Sequence, residues 1–315
     1  MNDNINFVVI TRQTPLEELI KKYNTREQAN FYISHLGEDF SQYERQHQTY
    51  YKSLEETMKA LDNYGKIQRL DRNYLPNFIF REEDIVVVVG QDGLVANTMK
   101  YLDNQSIVGV NPDKKLWDGV LLPFEPKDVK KIVYELTRKK RKIKEITMAK
   151  ATLKDGQELY AVNDFFIGPK GHSSARYKLN FGEISEEQSS SGIIVSTGLG
   201  SSGWLKGILC GTIGISSKLE NLKNSLIEQN EFLLPNLKWD SRTLIFSVRE
   251  PFPSRSSQAN CIFGEISENK PLELISKMPE NGVIFSDGVE SDFLLFSSGM
   301  QASISVADRR GHLVV

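Results

Sequence analysis

The sequence is poor in the residues that build covalent staples and metal centres. Its two cysteines, Cys210 and Cys261, lie far apart with no partner at C-x-x-C spacing. That excludes a disulfide framework and fits thiols in a reducing compartment. The four histidines, His35, His47, His172 and His312, form no H-E-x-x-H or comparable cluster, so no metal site is expected. The longest apolar stretch, around Ile85 to Val89, is far short of the ~18 residues that a membrane-spanning helix requires. Residues Met1 to Asn6 are polar, with no apolar stretch behind a basic start, and a cytoplasmic location is expected. Charge of one sign is lacking too: 39 Lys and Arg face 41 Asp and Glu, a formal net charge of −2. No general attraction to nucleic acid or to an anionic membrane is written into that balance.

What is present is an ordinary globular composition, 39% hydrophobic and 25% charged, able to build a core without staples. A length of 315 residues favours two domains. Phe7 to Ile10 reads as a first strand, followed by an amphipathic helix that Pro15 opens. Thr25 with Gln28 and Ser41 with Glu44 fit capping boxes, predicting helices from about Arg26 and Gln42. In the second of these, Tyr43, His47, Tyr50, Leu54, Met58 and Leu61 recur at helical spacing, a stripe suited to core or dimer packing. Lys66 to Leu70, the continuously apolar Ile85 to Val89 and Ser106 to Val110 read as further strands, the middle one buried on both faces of a parallel sheet. Leu94 to Leu102 and Pro126 to Lys140 have helical spacing, the latter ending in the basic run Arg138 to Lys142, which reads as a solvated helix end.

From Lys144 onward the texture becomes strand-like: Ile146 to Leu153, Leu159 to Ile167, Tyr177 to Phe181, Ile193 to Ser196, Leu244 to Val248 and Ile284 to Ser286. One helix is expected within Leu219 to Asp240. The predicted architecture is therefore an α/β N-terminal domain with a parallel sheet over residues 1–125 and a β-rich C-terminal domain over 126–315, with a C-terminal tail able to return to the first domain.

Three stretches carry chemistry. Gly90-Gln91-Asp92-Gly93 joins a buried strand to a helix, so backbone N–H groups and a helix dipole face an anion. Asp92 would repel phosphate, and suits instead a general base toward a hydroxyl, or a metal or ribose contact; an ordinary Asp-Gly turn is the competing reading. Ser191-Gly192 precedes an apolar strand that runs into Thr197-Gly-Leu-Gly200-Ser201-Ser202-Gly203-Trp204, a loop over which backbone can approach a flat or phosphorylated ligand. Asn163-Asp164 is an amide–carboxylate pair that can grip a ribose diol.

Together and in this order, the stretches resemble the NAD kinase family. That family has G-G-D-G-T after a buried strand, then G-V-N, then N-E or N-D, then D-G before S-T-P-T-G-S-T-A-Y. Here stand Gly90-Gln91-Asp92-Gly93-Leu94, Gly109-Val110-Asn111, Asn163-Asp164, and Ser191-Gly192 before Ser196-Thr197 to Trp204, with Asp287-Gly288 similar to a later Asp-containing turn. Ser-Ser-Gly and the terminal Trp look closest to the mitochondrial-type branch. The resemblance implies a two-domain kinase with its site between the domains, the first binding ATP and Mg²⁺ and the second NAD. It implies Asp92 as the base toward the adenosine ribose 2′-hydroxyl of NAD or NADH, and Gly90, Gln91 and Gly93 around the triphosphate. Asn163, Asp164, Ser191, Thr197, Gly200, Ser201, Ser202, Gly203 and Trp204 would face the dinucleotide. A homodimer or larger homo-oligomer is expected, the Tyr43 to Leu61 stripe offering a surface.

The departures from the pattern are Gln91 for the second glycine, Leu94 for threonine, Ser191 for aspartate, and Pro112 to Trp117 in place of a glycine-rich turn. They leave two other readings open: a kinase of the same fold acting on another nucleoside, nucleotide or sugar, and a catalytically silent nucleotide-binding regulatory homologue.

Overall fold

Runs that are apolar at every position, not at alternate ones, become strands covered on both faces. In the computed structural model, which describes residues 5–218 and 237–315, three such strands and a polar, largely exposed edge strand form a parallel sheet. They are β1 (Asn6–Thr11), β2 (Lys66–Asp71), β3 (Ile85–Val89) and β4 (Ser106–Val110), in the order β2-β1-β3-β4. The helices are α1 (Pro15–Tyr23), α2 (Arg26–His35), α3 (Phe40–Asp62), α4 (Asp92–Met99) and α5 (Val129–Leu136). Phe7, Val9, Val87 and Val89 share a core with Tyr50, Leu54 and Leu61 of α3 and with Val129, Ile132 and Val133 of α5. The alternate residues, Val8, Ile10, Val86 and Val88, are equally buried. The α3 stripe is thus used inward, so the surface expected for self-association is engaged in the core of its own chain.

Local chemistry departs from expectation in three places. The α1 start carries the complete capping box, Thr14 with Glu17, whereas Thr25 only accepts from the Gln28 N–H. The α3 cap is Asp39, whose side chain accepts from the Ser41 N–H, not Ser41 itself; two cap-type residues stood two apart and the carboxylate took the position. The helix expected over Pro126 to Lys140 is a 3-10 turn, Pro126–Asp128, leading into the shorter α5.

The chain divides into two compact units, Met1–Lys144 with Gly311–Val315, and Glu145–Arg310. Strand β5 (Ile143–Leu153) leads into the second, followed by β6 (Glu158–Ala161), β7 (Asp164–Pro169), β8 (Ala175–Phe181), β9 (Ile184–Ser190) and β10 (Ile193–Ser196). After α6 (Trp204–Ser216) come β11 (Thr243–Val248), β12 (Phe263–Ser267), β13 (Leu272–Ser276), β14 (Gly282–Ser286), β15 (Val289–Leu295) and β16 (Gln301–Val314). One antiparallel sheet has the order β12-β11-β10-β7-β14-β15. The other includes β9, β8, β13 and residues 301–310 of β16, with β5 and β6. Inward residues such as Phe165, Ile167, Tyr177, Leu179, Phe246 and Leu274 form the core. The end of β16 belongs to the first unit, where His312 and Leu313 pair in parallel with Ser106 and Ile107 of β4.

The single strand expected over Leu159 to Ile167 is two, β6 and β7, broken at Val162-Asn163. The helix expected within Leu219 to Asp240 falls largely outside the described residues. No helix among the described residues is long and apolar enough to cross a membrane.

Candidate functional site

In the first unit, β1 and β3 are adjacent, but the connections that follow them lead to opposite sides of the sheet order. Such a switch point opens a crevice outside the carboxyl ends of the strands. Gly90 follows β3, Gln91 is extended with φ −121° and ψ 164°, and α4 starts at Asp92. A cleft of about 630 Å³, including its open mouth, lies here; Arg12, Thr14, Tyr50, Gln91, Pro112 and Trp117 are among its lining residues. Gly90 and Gln91 therefore line it together, while Gly93 is exposed and Leu94 is buried in the core.

The loop after β4 is fastened from three sides. Asp92 Oδ1 accepts the Leu121 N–H at 2.6 Å. Asn111, fully buried, accepts the Asp113 N–H and donates to the Trp117 carbonyl, both at 3.0 Å. Gly109 has no side chain because a Cβ there would sit 2.0 Å from the Leu121 carbonyl oxygen. The Gly-Val-Asn motif thus reads as a clamp for residues 112–122.

Arg12 was not singled out by sequence reasoning. Its backbone N–H donates to Tyr50 Oη at 3.1 Å, and its Nε donates to the Gln13 carbonyl at 3.2 Å. Burial lowers the guanidinium pKa, opposed by the Glu18 carboxylate, with Arg72 adding to the lowering. The signal was a cation directly after the first strand of a parallel sheet, but only strand order shows that it reaches the Gly90 turn.

In the second unit the break between β6 and β7 has a defined cause. Asp287, in the left-handed region at φ 53°, begins the β14–β15 turn. Its Oδ1 accepts the N–H groups of Asn163 at 2.6 Å and of Val162 and Asp164 at 3.2 Å, and Oδ2 takes Val162 at 3.1 Å. Three successive donors serve one carboxylate, an arrangement that backbone ladders cannot match. Asp287→Asn, which tolerates the same backbone, is expected to leave at least one of these donors unsatisfied. It should cost about 1–3 kcal/mol, read as a lower melting temperature with unchanged far-ultraviolet dichroism.

Beside this turn Asp164 is largely buried, and its Oδ1 has no hydrogen-bond partner among the described residues. Burial pushes its carboxyl up to about 7; a hydrogen bond with Ser196 opposes the rise and the Asp287 charge adds to it. Thr197 is fully buried, donating to the Val162 carbonyl at 2.6 Å and accepting the Gly200 N–H at 3.1 Å. Its own N–H donates to the Asn163 carbonyl at 2.9 Å. A Cβ on Gly200 would lie 2.2 Å from that carbonyl oxygen, so only glycine lets the loop lie against Asn163.

The structure therefore brings Asn163, Asp164, Thr197, Gly200 and Asp287 together, with Thr197 and Gly200 shaping the loop. Ser201 and Ser202 turn their hydroxyls onto the Gly198 and Leu199 carbonyls. Gly203 leads into α6, and Trp204 stacks on Phe166 with centroids 5.9 Å apart and planes at 5°. The Arg249 guanidinium lies 5.6 Å from the Trp204 ring. Ser191 is exposed at the opposite end of β10 from Thr197, its N–H on the Arg249 carbonyl.

No protein-family profile matches the chain, and no curated protein matches it by sequence. Among solved structures it is similar to an NAD kinase from Archaeoglobus fulgidus in complex with ATP, at 15% identity and a TM-score of 0.57, over 99% of this chain and 93% of that one. It is also similar to yeast NADH kinase complexed with NADH, at 12% identity and a TM-score of 0.55, over 100% of this chain and 84% of that one. An N-terminal α/β unit with a mostly parallel sheet and a C-terminal antiparallel β-rich unit make this the NAD kinase fold.

Proposed function

We propose that the protein is an ATP-dependent phosphotransferase acting on the 2′-hydroxyl of the adenosine ribose of NAD or NADH, giving NADP or NADPH. The observation that carries the reading is the fastening of Asn163-Asp164 to the Thr197 to Trp204 loop by Thr197 and Gly200. It turns two separate sequence motifs into one wall able to face a dinucleotide. The likeness of fold to an NAD kinase and an NADH kinase supports the same reading.

In this reading the backbone at Gly90, Gln91 and Gly93 holds the triphosphate at the α4 N-terminus. Asp92 takes the proton of the 2′-hydroxyl, the ribose oxygen attacks the γ-phosphorus, and the bond to the bridging oxygen breaks to release ADP. Asn163 and Asp164 hold a ribose, Ser202, Gly203 and Trp204 border the adenine, and Ser201 completes the loop surroundings, whereas Ser191, at the far end of β10, stands apart from that loop. Mg²⁺, which binds through one or two carboxylates besides phosphate oxygens, would be held with the triphosphate and would supply charge neutralisation there. Asp113 is a carboxylate on the cleft wall. Homodimerisation belongs to the reading as a further expectation.

Because Pro112 and Trp117 line the cleft where the family pattern has a glycine-rich turn, another acceptor is the second reading. ADP formation measured with NAD, NADH, nucleosides and sugars in parallel decides between them. Turnover dependent on NAD or NADH supports the proposal, turnover with another acceptor alone moves the second reading forward, and none with any acceptor overturns both.

A further inference from the structure

The lining of the first unit's cleft holds two groups of different chemistry. One is Arg12. A Cβ on Gly90 would lie 3.9 Å from Arg12 Cδ, so the arginine stem runs beside the glycine turn. Among the described residues no carboxylate forms an ion pair with its guanidinium, although burial disfavours that charge. Among the described residues the guanidinium's hydrogen-bond partner is the Gln13 carbonyl, on Nε. A partly desolvated cation that the Glu18 carboxylate offsets without pairing with it gains from an arriving anion.

The other is Trp117, half-buried on the cleft wall with Pro112 and Leu116. Its main chain is fastened on both sides: its backbone N–H donates to the Asp113 carbonyl at 3.0 Å and its backbone carbonyl accepts from Asn111 Nδ2. A tryptophan side chain, with only two rotatable bonds, loses little entropy on stacking with a flat ring. A guanidinium fork and an aromatic face lining one cleft fit a nucleotide, with phosphate toward Arg12 and base toward Trp117.

We propose that Arg12 is a phosphate-positioning residue and Trp117 the base-stacking residue of a nucleoside triphosphate site contained in the first unit. This rests on the reading of that unit as the one that holds ATP, and it assigns a role to the 112–117 segment that departs from the family pattern.

The test is calorimetric binding to the full chain of three probes, ATP, adenosine and inorganic tripolyphosphate, with Arg12→Ala and Trp117→Ala. Arg12→Ala should weaken ATP and tripolyphosphate by about tenfold or more and leave adenosine unchanged. Trp117→Ala should weaken ATP and adenosine by about tenfold and leave tripolyphosphate unchanged. Equal ATP affinity, within about twofold, in a folded Arg12→Ala overturns the proposal, as does a loss of all three probes in either folded variant. If Arg12→Ala does not fold, Arg12→Lys keeps stem and charge but loses the fork; several-fold weaker tripolyphosphate binding supports the proposal and parental binding overturns it. Because no probe is consumed, the crossed pattern in a chain that transfers no phosphoryl group upholds this inference and removes the kinase reading. Transfer that is indifferent to Arg12 does the reverse.

Discussion

Asp92→Asn is expected to fold like the parent and to lose about 10²–10⁴ of the phosphoryl-transfer rate. The two halves of that result separate the anchoring role the structure shows for this side chain from the base role proposed for it. Oδ1 anchors the 112–122 loop through the Leu121 N–H at 2.6 Å, and an asparagine oxygen can accept the same hydrogen bond. What the amide cannot do is take a proton from a ribose hydroxyl. Asp92→Ala removes both roles, and should add a stability loss of about 1–3 kcal/mol to the loss of rate. Melting temperature and single-turnover rate, measured on the same preparations, check both. If Asp92→Asn transfers at the parental rate, Asp92 is a loop anchor and some other group serves as base.

The second large effect is on stability and depends on pH. The Asp164 carboxyl is held at about 7 against 3.8 for the free group. The sign follows from which state keeps the proton. Below about pH 4 both folded and unfolded chains are protonated and the site costs nothing. As pH climbs from 4 to 7 the unfolded chain ionises while the folded one does not, and the folded state is progressively disfavoured. Above about 7 the penalty is complete, on the order of 4 kcal/mol. Asp164→Asn removes the charge from this balance. It is therefore expected to raise the melting temperature of the second unit by several degrees at pH 8 and hardly at all at pH 4. A shift equal at both pH values would show that burial does not disfavour the charge. Keeping a destabilising carboxylate beside Asp287 is a pattern found where function and stability conflict, in keeping with Asp164 as a ribose-holding group. Asp287→Asn should act in the opposite direction, since its charge is satisfied by three N–H donors.

What could be read from the sequence was local. Ile85 to Val89 announced a doubly buried strand, and Gly90 to Gly93 a turn into a helix, because composition and spacing within ten residues determine both. Where two local solutions were close in energy, as at Asp39 and Ser41, the sequence did not choose. The broken strand at Val162-Asn163 was not legible at all: its donors turn to a carboxylate more than a hundred residues later in the chain. Arg12 was hidden for the same reason, since its neighbour Gly90 is set by the order β2-β1-β3-β4 and not by sequence distance. The Tyr43 to Leu61 stripe correctly signalled a sticky face, but periodicity cannot say whether its partner is the same chain or another.

Phosphoryl transfer to NAD is read from the mass of NAD recovered after incubation of the purified chain with ATP and Mg²⁺. The expected product is heavier by one phosphoryl group, carried on the 2′-oxygen of the adenosine ribose. NAD and NADH recovered unchanged, beside a kinase of established activity that converts them, would contradict it.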